Sequence, residues 1–172
     1  TYGTKGTAAS SNIPGGRGGL VSWMDANNDL WLFGGYGKPN SGEGFLNDLW
    51  KYDVSENKWT WMSGDDDGNQ NGTYGTKGTA ASSNIPGGRG SYNSNSNYSP
   101  SSFIDSNGDL WLFGGYGKPN SGEGFLNDLW KYNYAKGMAP SGSGTSSNPY
   151  LIANLANLSW LSQNSSKWGK YY

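Results

Sequence analysis

The sequence contains no cysteine and no histidine among its 172 residues. Their absence excludes disulfides, the usual zinc sites, cysteine nucleophiles and the commonest general base. No apolar run approaches the roughly 18 residues that a membrane-spanning helix needs. Acidic and basic side chains nearly balance at a formal net charge of −1, so charge does not favour nucleic acid or an anionic membrane as a partner. We expect no cofactor, no metal, no nucleic-acid partner and no membrane insertion.

Glycine and aromatic residues are abundant instead, with 29 Gly, nine Trp and twelve Tyr. Disordered chains are poor in aromatics, so the low hydrophobic fraction of 33% does not indicate disorder. This composition favours short strands that aromatic side chains hold together between glycine-rich turns.

Two passages of the sequence are repeated letter for letter. Thr1–Gly18 recurs at Thr73–Gly90, and Asp29–Tyr52 recurs at Asp109–Tyr132. The second copy carries an insertion, which we place in the Ser/Asn/Tyr-rich stretch Ser91–Pro100. Internal repeats of this length are typical of stacked or radial arrays, in which each unit needs neighbours. Because the chain opens inside a repeat, we expect it to be a mature or partial product.

One repeat predicts four short strands. They are Leu20–Asp25, Leu30–Phe33, Asp48–Val54 and Trp59–Met62, with a long loop at Tyr36–Asn47 and short turns elsewhere. Strands joined in this way form an antiparallel meander. A single sheet with apolar residues on both faces has nothing to bury itself against, and blades packed around an axis solve that problem.

The spacing of several residues in the repeat resembles the kelch motif. A double glycine, Gly34-Gly35, follows the apolar strand, Tyr52 and Trp59 come later, and Arg17-Gly18 precede it. The stretch Leu46–Tyr52 is similar to kelch repeats of bacterial, secreted proteins. The resemblance implies an all-β fold built from kelch-type β-propeller blades, each a four-stranded antiparallel meander.

The second copy resembles the motif only in part. Arg89-Gly90, Gly114-Gly115 and Tyr132 match, but Ala139 stands where a tryptophan is expected, so we expect its fourth strand to be missing. The chain therefore predicts an incomplete propeller. The predicted organisation is an inter-blade loop at 1–17, a first blade at 18–64, a second inter-blade loop at 65–89, a second blade lacking its fourth strand at 90–134, a Gly/Ser linker at 135–148, and the start of a separate domain at 149–172.

That last segment resembles the opening of the β-helix domains of bacterial surface proteins. Pro149–Ala153 predicts a short strand. Asn154 is a suitable helix N-cap, and Leu155, Leu158 and Leu161 follow at helical spacing. We therefore expect a short α/β tail after the blades.

One edge of the predicted meander carries the long connections. The loop between strands 2 and 3 and the connection between blades lie at this edge, which we name the long-loop face (Tyr36–Asn47, its copy Tyr116–Asn127, and Ser63–Gly90). Long loops on a rigid scaffold are common binding sites. Their aromatic, amide, carboxylate and ammonium groups suit sugar hydroxyls or polar peptides, whereas the alternative is a plain Gly-Lys-Pro-Asn turn with solvated charges. The candidate ligand-binding residues are Tyr36, Lys38, Asn40, Glu43, Tyr116, Lys118, Asn120 and Glu123.

Two acidic patterns resemble cation sites only superficially. Asp25, Asn27 and Asp29 have the spacing of the first half of a calcium loop, but the required glycine and glutamate are absent downstream. A hairpin turn is the favoured interpretation. Asp65–Asp67 is either a weak cation site or a solvated acidic loop, and we favour the loop.

The arginines and tryptophans are interpreted as structural. Arg17 and Arg89 either face a ligand or make structural hydrogen bonds, and we favour the latter. The tryptophans are most simply blade-to-blade core. They are Trp31, Trp50, Trp59, Trp61, Trp111 and Trp130.

Three functional classes follow from these observations. Some kelch propellers of the galactose oxidase type hold copper through His, Tyr and Cys, and this chain has neither His nor Cys, so we expect no catalytic residue. The favoured interpretation is a non-catalytic extracellular module of a bacterial surface protein that binds glycan or protein. The alternatives are a spacer repeat and a fragment of a carbohydrate-active enzyme whose catalytic part lies outside this chain. Exposed tryptophan-rich blade faces also predict self-association.

Overall fold

The computed structural model describes residues 1–25, 27–91, 98–133, 142–152, 161 and 169. The chain divides into two compact units, one formed by residues 1–103 with 111–130 and the other by residues 104–110 with 131–172. The described residues form thirteen strands. These are β1 (Arg17–Gly18), β2 (Val21–Met24), β3 (Leu30–Phe33), β4 (Tyr36–Gly37), β5 (Gly44–Phe45), β6 (Leu49–Asp53), β7 (Lys58–Ser63), β8 (Arg89–Gly90), β9 (Ser101–Ile104), β10 (Leu110–Phe113), β11 (Tyr116–Gly117), β12 (Gly124–Phe125) and β13 (Leu129–Tyr132).

The first blade is a four-stranded antiparallel sheet in the order β2-β3-β6-β7. This confirms the predicted meander. Trp31 lies opposite Trp23, and Trp50 lies between Leu32 on one side and Trp61 on the other. Aromatic residues paired across strands in this way stabilise a sheet. Trp50 is completely buried in a core cluster with Tyr2 and Leu32, and Trp31 is completely buried on the opposite face of the sheet.

A hairpin turn joins β2 to β3, as predicted for the Asp-x-Asn-x-Asp pattern. The Oδ1 atom of Asp25 accepts hydrogen bonds from the backbone N–H groups of Asn27 (2.9 Å) and Asp29 (3.0 Å). Its Oδ2 atom accepts the indole N–H of Trp31 at 2.9 Å. Asn28 adopts a left-handed φ of 63°, which asparagine tolerates in turns. The carboxylate of Asp25 is therefore occupied by the turn itself.

The segment 36–47 is not a single loop, which corrects the sequence prediction. β4 and β5 pair with each other inside it, and β1 adds a third strand on the other side of β4. Gly37 permits this close pairing, since a Cβ atom there would lie 2.1 Å from the carbonyl oxygen of Gly16. Two-residue strands that are half glycine give no alternating pattern, so the periodicity of the sequence does not reveal them.

The second copy repeats these elements without a fourth blade strand among the described residues. Its sheets have the orders β13-β10-β9 and β12-β11-β8. The position of Ala139, which suggested the missing strand, lies outside the described residues. The fold is therefore all-β, built from kelch-type meanders, and it corresponds to an incomplete propeller.

The double glycine marks the place where the backbone of the second copy approaches the first. Gly34 and Gly35 have left-handed φ values of 70° and 97°, and the N–H of Gly35 donates to the carbonyl oxygen of Arg89 at 2.8 Å. A Cβ atom on Gly34 would lie 2.6 Å from that same oxygen. Trp23 adds a second link by donating its indole N–H to the carbonyl oxygen of Trp111 at 3.2 Å. Only glycine satisfies both the conformation and the contact.

In the second unit, the described residues 142–152 contain a tight turn between Thr145 and Asn148. Thr145 and Asn148 form an isolated antiparallel bridge, and the N–H of Ser143 donates to the carbonyl oxygen of Asn148 at 3.0 Å. The strand predicted at Pro149–Ala153 is not formed over 149–152, where Leu151 alone is in a bridge. A short apolar run is compatible with several backbone conformations, which explains the error. The predicted helix that follows lies outside the described residues.

Candidate functional site

A buried arginine–aspartate pair lies between the two sheets of the first repeat. The guanidinium of Arg17, in β1, donates to both carboxylate oxygens of Asp48, with Nη2 and Oδ2 2.7 Å apart. The phenol of Tyr2 and the indole N–H of Trp50 (2.7 Å) donate to the same Oδ2 atom. The Arg17 and Asp48 side chains are only 3% and 0% exposed. Charges this deeply buried are tolerated only when they are paired and hydrogen-bonded, as here.

The second repeat contains the same arrangement. Arg89 Nη1 and Nη2 donate to the two carboxylate oxygens of Asp128 at 2.6 and 2.9 Å. Tyr74 and Trp130 donate to its Oδ2 atom at 2.5 and 2.6 Å. These contacts confirm the structural role predicted for both arginines. The aspartates were not predicted from the sequence, although an aspartate directly before Leu-Trp-Lys-Tyr in both copies was the available signal.

The network shifts the ionisation of its members. Burial alone would raise the pKa of Asp128, but the hydrogen bonds and charge of Arg89 outweigh it and hold that pKa below its usual value. Burial and the neighbouring Asp128 carboxylate raise the pKa of Tyr74 to about 12. Burial and the Asp48 carboxylate raise the pKa of Tyr2 in the same direction. The two phenols therefore remain neutral donors in moderately alkaline solution.

These shifts predict a loss of stability at high pH. The folded-state pKa of Tyr74 lies above the ordinary value of about 10, so its contribution is complete below about pH 10 and is lost as the pH rises towards 12. Urea unfolding across this range measures the slope of stability against pH. Tyr74→Phe is expected to make that slope shallower, because the group that titrates has been removed. An unchanged slope in this variant would contradict the assignment.

The long-loop face of the first repeat is braced by the acidic loop that follows β7. The backbone N–H of Asn40 donates to the carbonyl oxygen of Asp66 at 2.8 Å, and the hydroxyl of Ser41 donates to Asp67 Oδ1 at 2.8 Å. Asn47 Nδ2 donates to Asp65 Oδ2 at 3.0 Å. The three aspartates therefore hold the loop by hydrogen bonds. Among the described residues, no group of acidic side chains is arranged to hold a metal ion.

The four candidate residues of the first repeat divide into two groups. Tyr36 is half-buried, with its ring edge-on to Phe45 at a centroid distance of 5.2 Å. Asn40 is exposed, but its backbone and side-chain amides both donate to Asp66 of the acidic loop. Lys38 and Glu43 are exposed, and neither has an ion-pair partner within the part of the chain that the structure describes. The first two residues therefore build the face, and the last two are displayed on it.

The identical loop of the second repeat is held differently. Lys118 and Glu123 form an ion pair at 2.7 Å, and Asn120 is exposed. Tyr116 packs against Phe125 of its own hairpin (5.2 Å) and against Phe45 of the first repeat (5.8 Å). The two loops therefore arrange the same charged side chains differently despite their identical sequence. In the first loop the lysine and glutamate are separate, and in the second they form an ion pair.

Residues 26–60 match the Kelch motif, which covers β3, β6 and the first half of β7 in the complete blade. No curated protein matches the chain. The motif supports a kelch-repeat protein, and kelch repeats typically form non-catalytic binding modules. Among the described residues, none of the helical segments is long and apolar enough to span a bilayer.

Proposed function

We propose that the chain is a non-catalytic module that binds a polar polypeptide through the long-loop face. The supporting observation is the unpaired display of Lys38 and Glu43 on a loop that the acidic segment braces. A loop held in place before binding loses little conformational freedom when it meets a partner. Exposed charges of both signs favour a partner of complementary, mixed charge.

A polypeptide fits this face better than a sugar. The tyrosines that suggested sugar stacking are both half-buried, and their rings pack against phenylalanines. The remaining displayed groups are single charges, which suit charged side chains of a peptide. The difference between the two loops also favours a binding module over a uniform spacer. By resemblance to secreted kelch proteins, we place the module at the surface of a bacterial cell.

Charge reversal tests the binding face. A displayed library of random peptides is selected on the full chain, and the selected peptides are measured against a variant carrying Lys38→Glu and Glu43→Lys. We expect at least about tenfold weaker binding, because complementary charges at the rim are replaced by repulsion. The matched control carries Glu56→Lys and Lys58→Glu, which reverses an exposed ion pair at the opposite, short-turn edge.

Three results would contradict the proposal. The first is equal binding by the two double variants, which would place the site elsewhere. The second is binding to a glycan array without any selected peptide, which would favour the sugar alternative. The third is binding to neither peptides nor glycans, which would favour the interpretation of the chain as a spacer.

A further inference from the structure

Two segments of identical sequence have the same pattern of internal hydrogen bonds. We name Thr1–Pro14 arm 1 and Thr73–Pro86 arm 2. In arm 1, Asn12 Nδ2 donates to the carbonyl oxygen of Thr7 at 2.9 Å, and in arm 2 Asn84 donates to that of Thr79 at 3.0 Å. The ring of Tyr2 meets that of Trp50, and the ring of Tyr74 meets that of Trp130, at the same centroid distance of 5.0 Å, tilted by 57° and 58°. The arms are therefore built alike.

Arm 1 is docked along the backbone of β7. The N–H of Gly6 donates to the carbonyl oxygen of Trp61 at 2.7 Å, and the N–H of Ala9 donates to that of Trp59 at 3.3 Å. The side-chain amide of Asn12 also donates to the carbonyl oxygen of Trp59, at 2.9 Å. These three donors recognise a strand through its main chain.

Side chains of arm 1 recognise the tryptophans of that strand. Lys5 Nζ lies 4.4 Å from the centre of the Trp61 ring and donates to the carbonyl oxygen of Gly64 at 2.7 Å. The ring of Tyr2 meets Trp61 edge-on at 5.2 Å. An ammonium over an indole and an edge-to-face aromatic pair are both favourable contacts. Arm 1 is therefore specific for a strand with tryptophan at this position.

Arm 2 presents the same groups without a strand. Tyr74 is 41% exposed although its hydroxyl is bound to Asp128. Lys77, Gly78 and Ala81, the copies of Lys5, Gly6 and Ala9, are exposed. In the described part of the chain, no strand accepts from their N–H groups. Beside them Leu129 is 56% exposed, whereas its copy Leu49, covered by β7, is 4% exposed.

We propose that arm 2, together with Leu129 and Trp130, is a docking site for an extended strand with two tryptophans two positions apart, supplied by another polypeptide. The strand β7 of the same chain is not the occupant, because it is already paired with β6. A second copy of the chain would have to release its own β7 from β6. Its own blade would then lose the strand that the other chain gains, so no contact is added overall. The chemistry of the occupant follows from β7 itself, in which Trp61 lies opposite Trp50, the copy of Trp130.

The site is ready for binding. Arm 2 keeps the internal hydrogen bonds of arm 1 although no strand lies along it within the described residues, so docking requires little rearrangement of the receptor, and that lowers the cost of binding. A strand docked along arm 2 accepts main-chain hydrogen bonds from the arm, and the side-chain contacts then supply specificity.

The probe is a fluorescent peptide with the sequence of residues 56–64, Glu-Asn-Lys-Trp-Thr-Trp-Met-Ser-Gly, titrated with the full chain and followed by anisotropy. We expect saturable binding of one peptide per chain. A control peptide in which both tryptophans are replaced by threonine is expected to bind at least about tenfold more weakly, because it loses the buried aromatic surface.

Two matched variants of the chain locate the site. Lys77→Ala is expected to weaken binding of the peptide about threefold, through loss of the cation–π contact, while urea unfolding of the free chain stays unchanged. Lys5→Ala changes the same residue in arm 1, and it should lower stability and leave the affinity for the peptide unaltered. Absence of saturable binding, equal affinity for both peptides, or equal weakening by the two lysine variants would overturn the proposal.

Discussion

Replacing Asp48 with alanine is expected to lower the free energy of unfolding by about 3–5 kcal/mol, the usual cost of breaking a buried charge pair from one side. The guanidinium of Arg17 would remain buried without a counter-charge, and the donors of Tyr2 and Trp50 would lose their shared acceptor. Urea unfolding monitored by circular dichroism measures the loss.

The second repeat supplies the matched control. Asp128→Ala removes the same carboxylate, but that side chain is 16% exposed and water can reach the network. We expect a smaller loss, about 3 kcal/mol and thus at the lower end of the range for breaking a buried charge pair, because the Arg89 guanidinium left behind is 0% exposed but the partly exposed carboxylate gains less from the pairing. Asp48→Asn separates the effect of the negative charge from the effect of side-chain size, because asparagine has nearly the volume of aspartate but is neutral. Equal losses for the two alanine variants would show that burial does not set the energy of this network.

The strands of the blade could be predicted because their pattern is local. Leu30–Phe33 and Lys58–Ser63 combine β-branched or aromatic residues with clear turn signals on either side, so composition and spacing are sufficient. The hairpin turn at Asp25 was likewise predictable, since asparagine and aspartate at that spacing favour turns. The structural role of the arginines followed from the kelch resemblance.

The partners of those arginines could not be predicted, because the contacts are distant in sequence. Arg17 and Asp48 are separated by 31 positions, and Arg89 and Asp128 by 39. No local pattern joins them. The same limit applies to the acidic loop, whose side chains bind residues 26 positions away.

Identical sequences also take up different environments, which no single-sequence pattern reveals. Phe45 is almost completely buried, because the second repeat packs over it, whereas its copy Phe125 is 71% exposed. Lys38 and Glu43 are separate, whereas Lys118 and Glu123 are paired. For the phenylalanines, the neighbouring repeat determines the difference, because Tyr116 packs against Phe45. Two copies of one sequence on the long-loop face therefore differ in structure.

Replacing Trp31 with alanine is the second change with a large expected effect, a loss of about 3–5 kcal/mol in the free energy of unfolding, as for other large aromatic side chains in cores. The Trp31 ring is completely buried in the centre of the blade, and Lys51 Nζ lies 5.9 Å from its centre. The substitution leaves a cavity and also removes the donor that Asp25 Oδ2 accepts. Circular dichroism is the suitable probe, because tryptophan fluorescence changes with the substitution itself.

Two further variants divide this loss into its causes. Trp31→Phe keeps an aromatic ring but leaves Asp25 Oδ2 without its donor, so we expect about 1–3 kcal/mol, the cost of an unsatisfied buried acceptor. Trp111→Ala changes the copy of Trp31, which is half-buried and stacked on Phe103 at 5.5 Å, so its cavity is partly open to water. Its loss should be smaller than that of Trp31→Ala. If Trp111→Ala were the more damaging, the stability of the chain would reside in the second repeat, and the complete blade would not be its core.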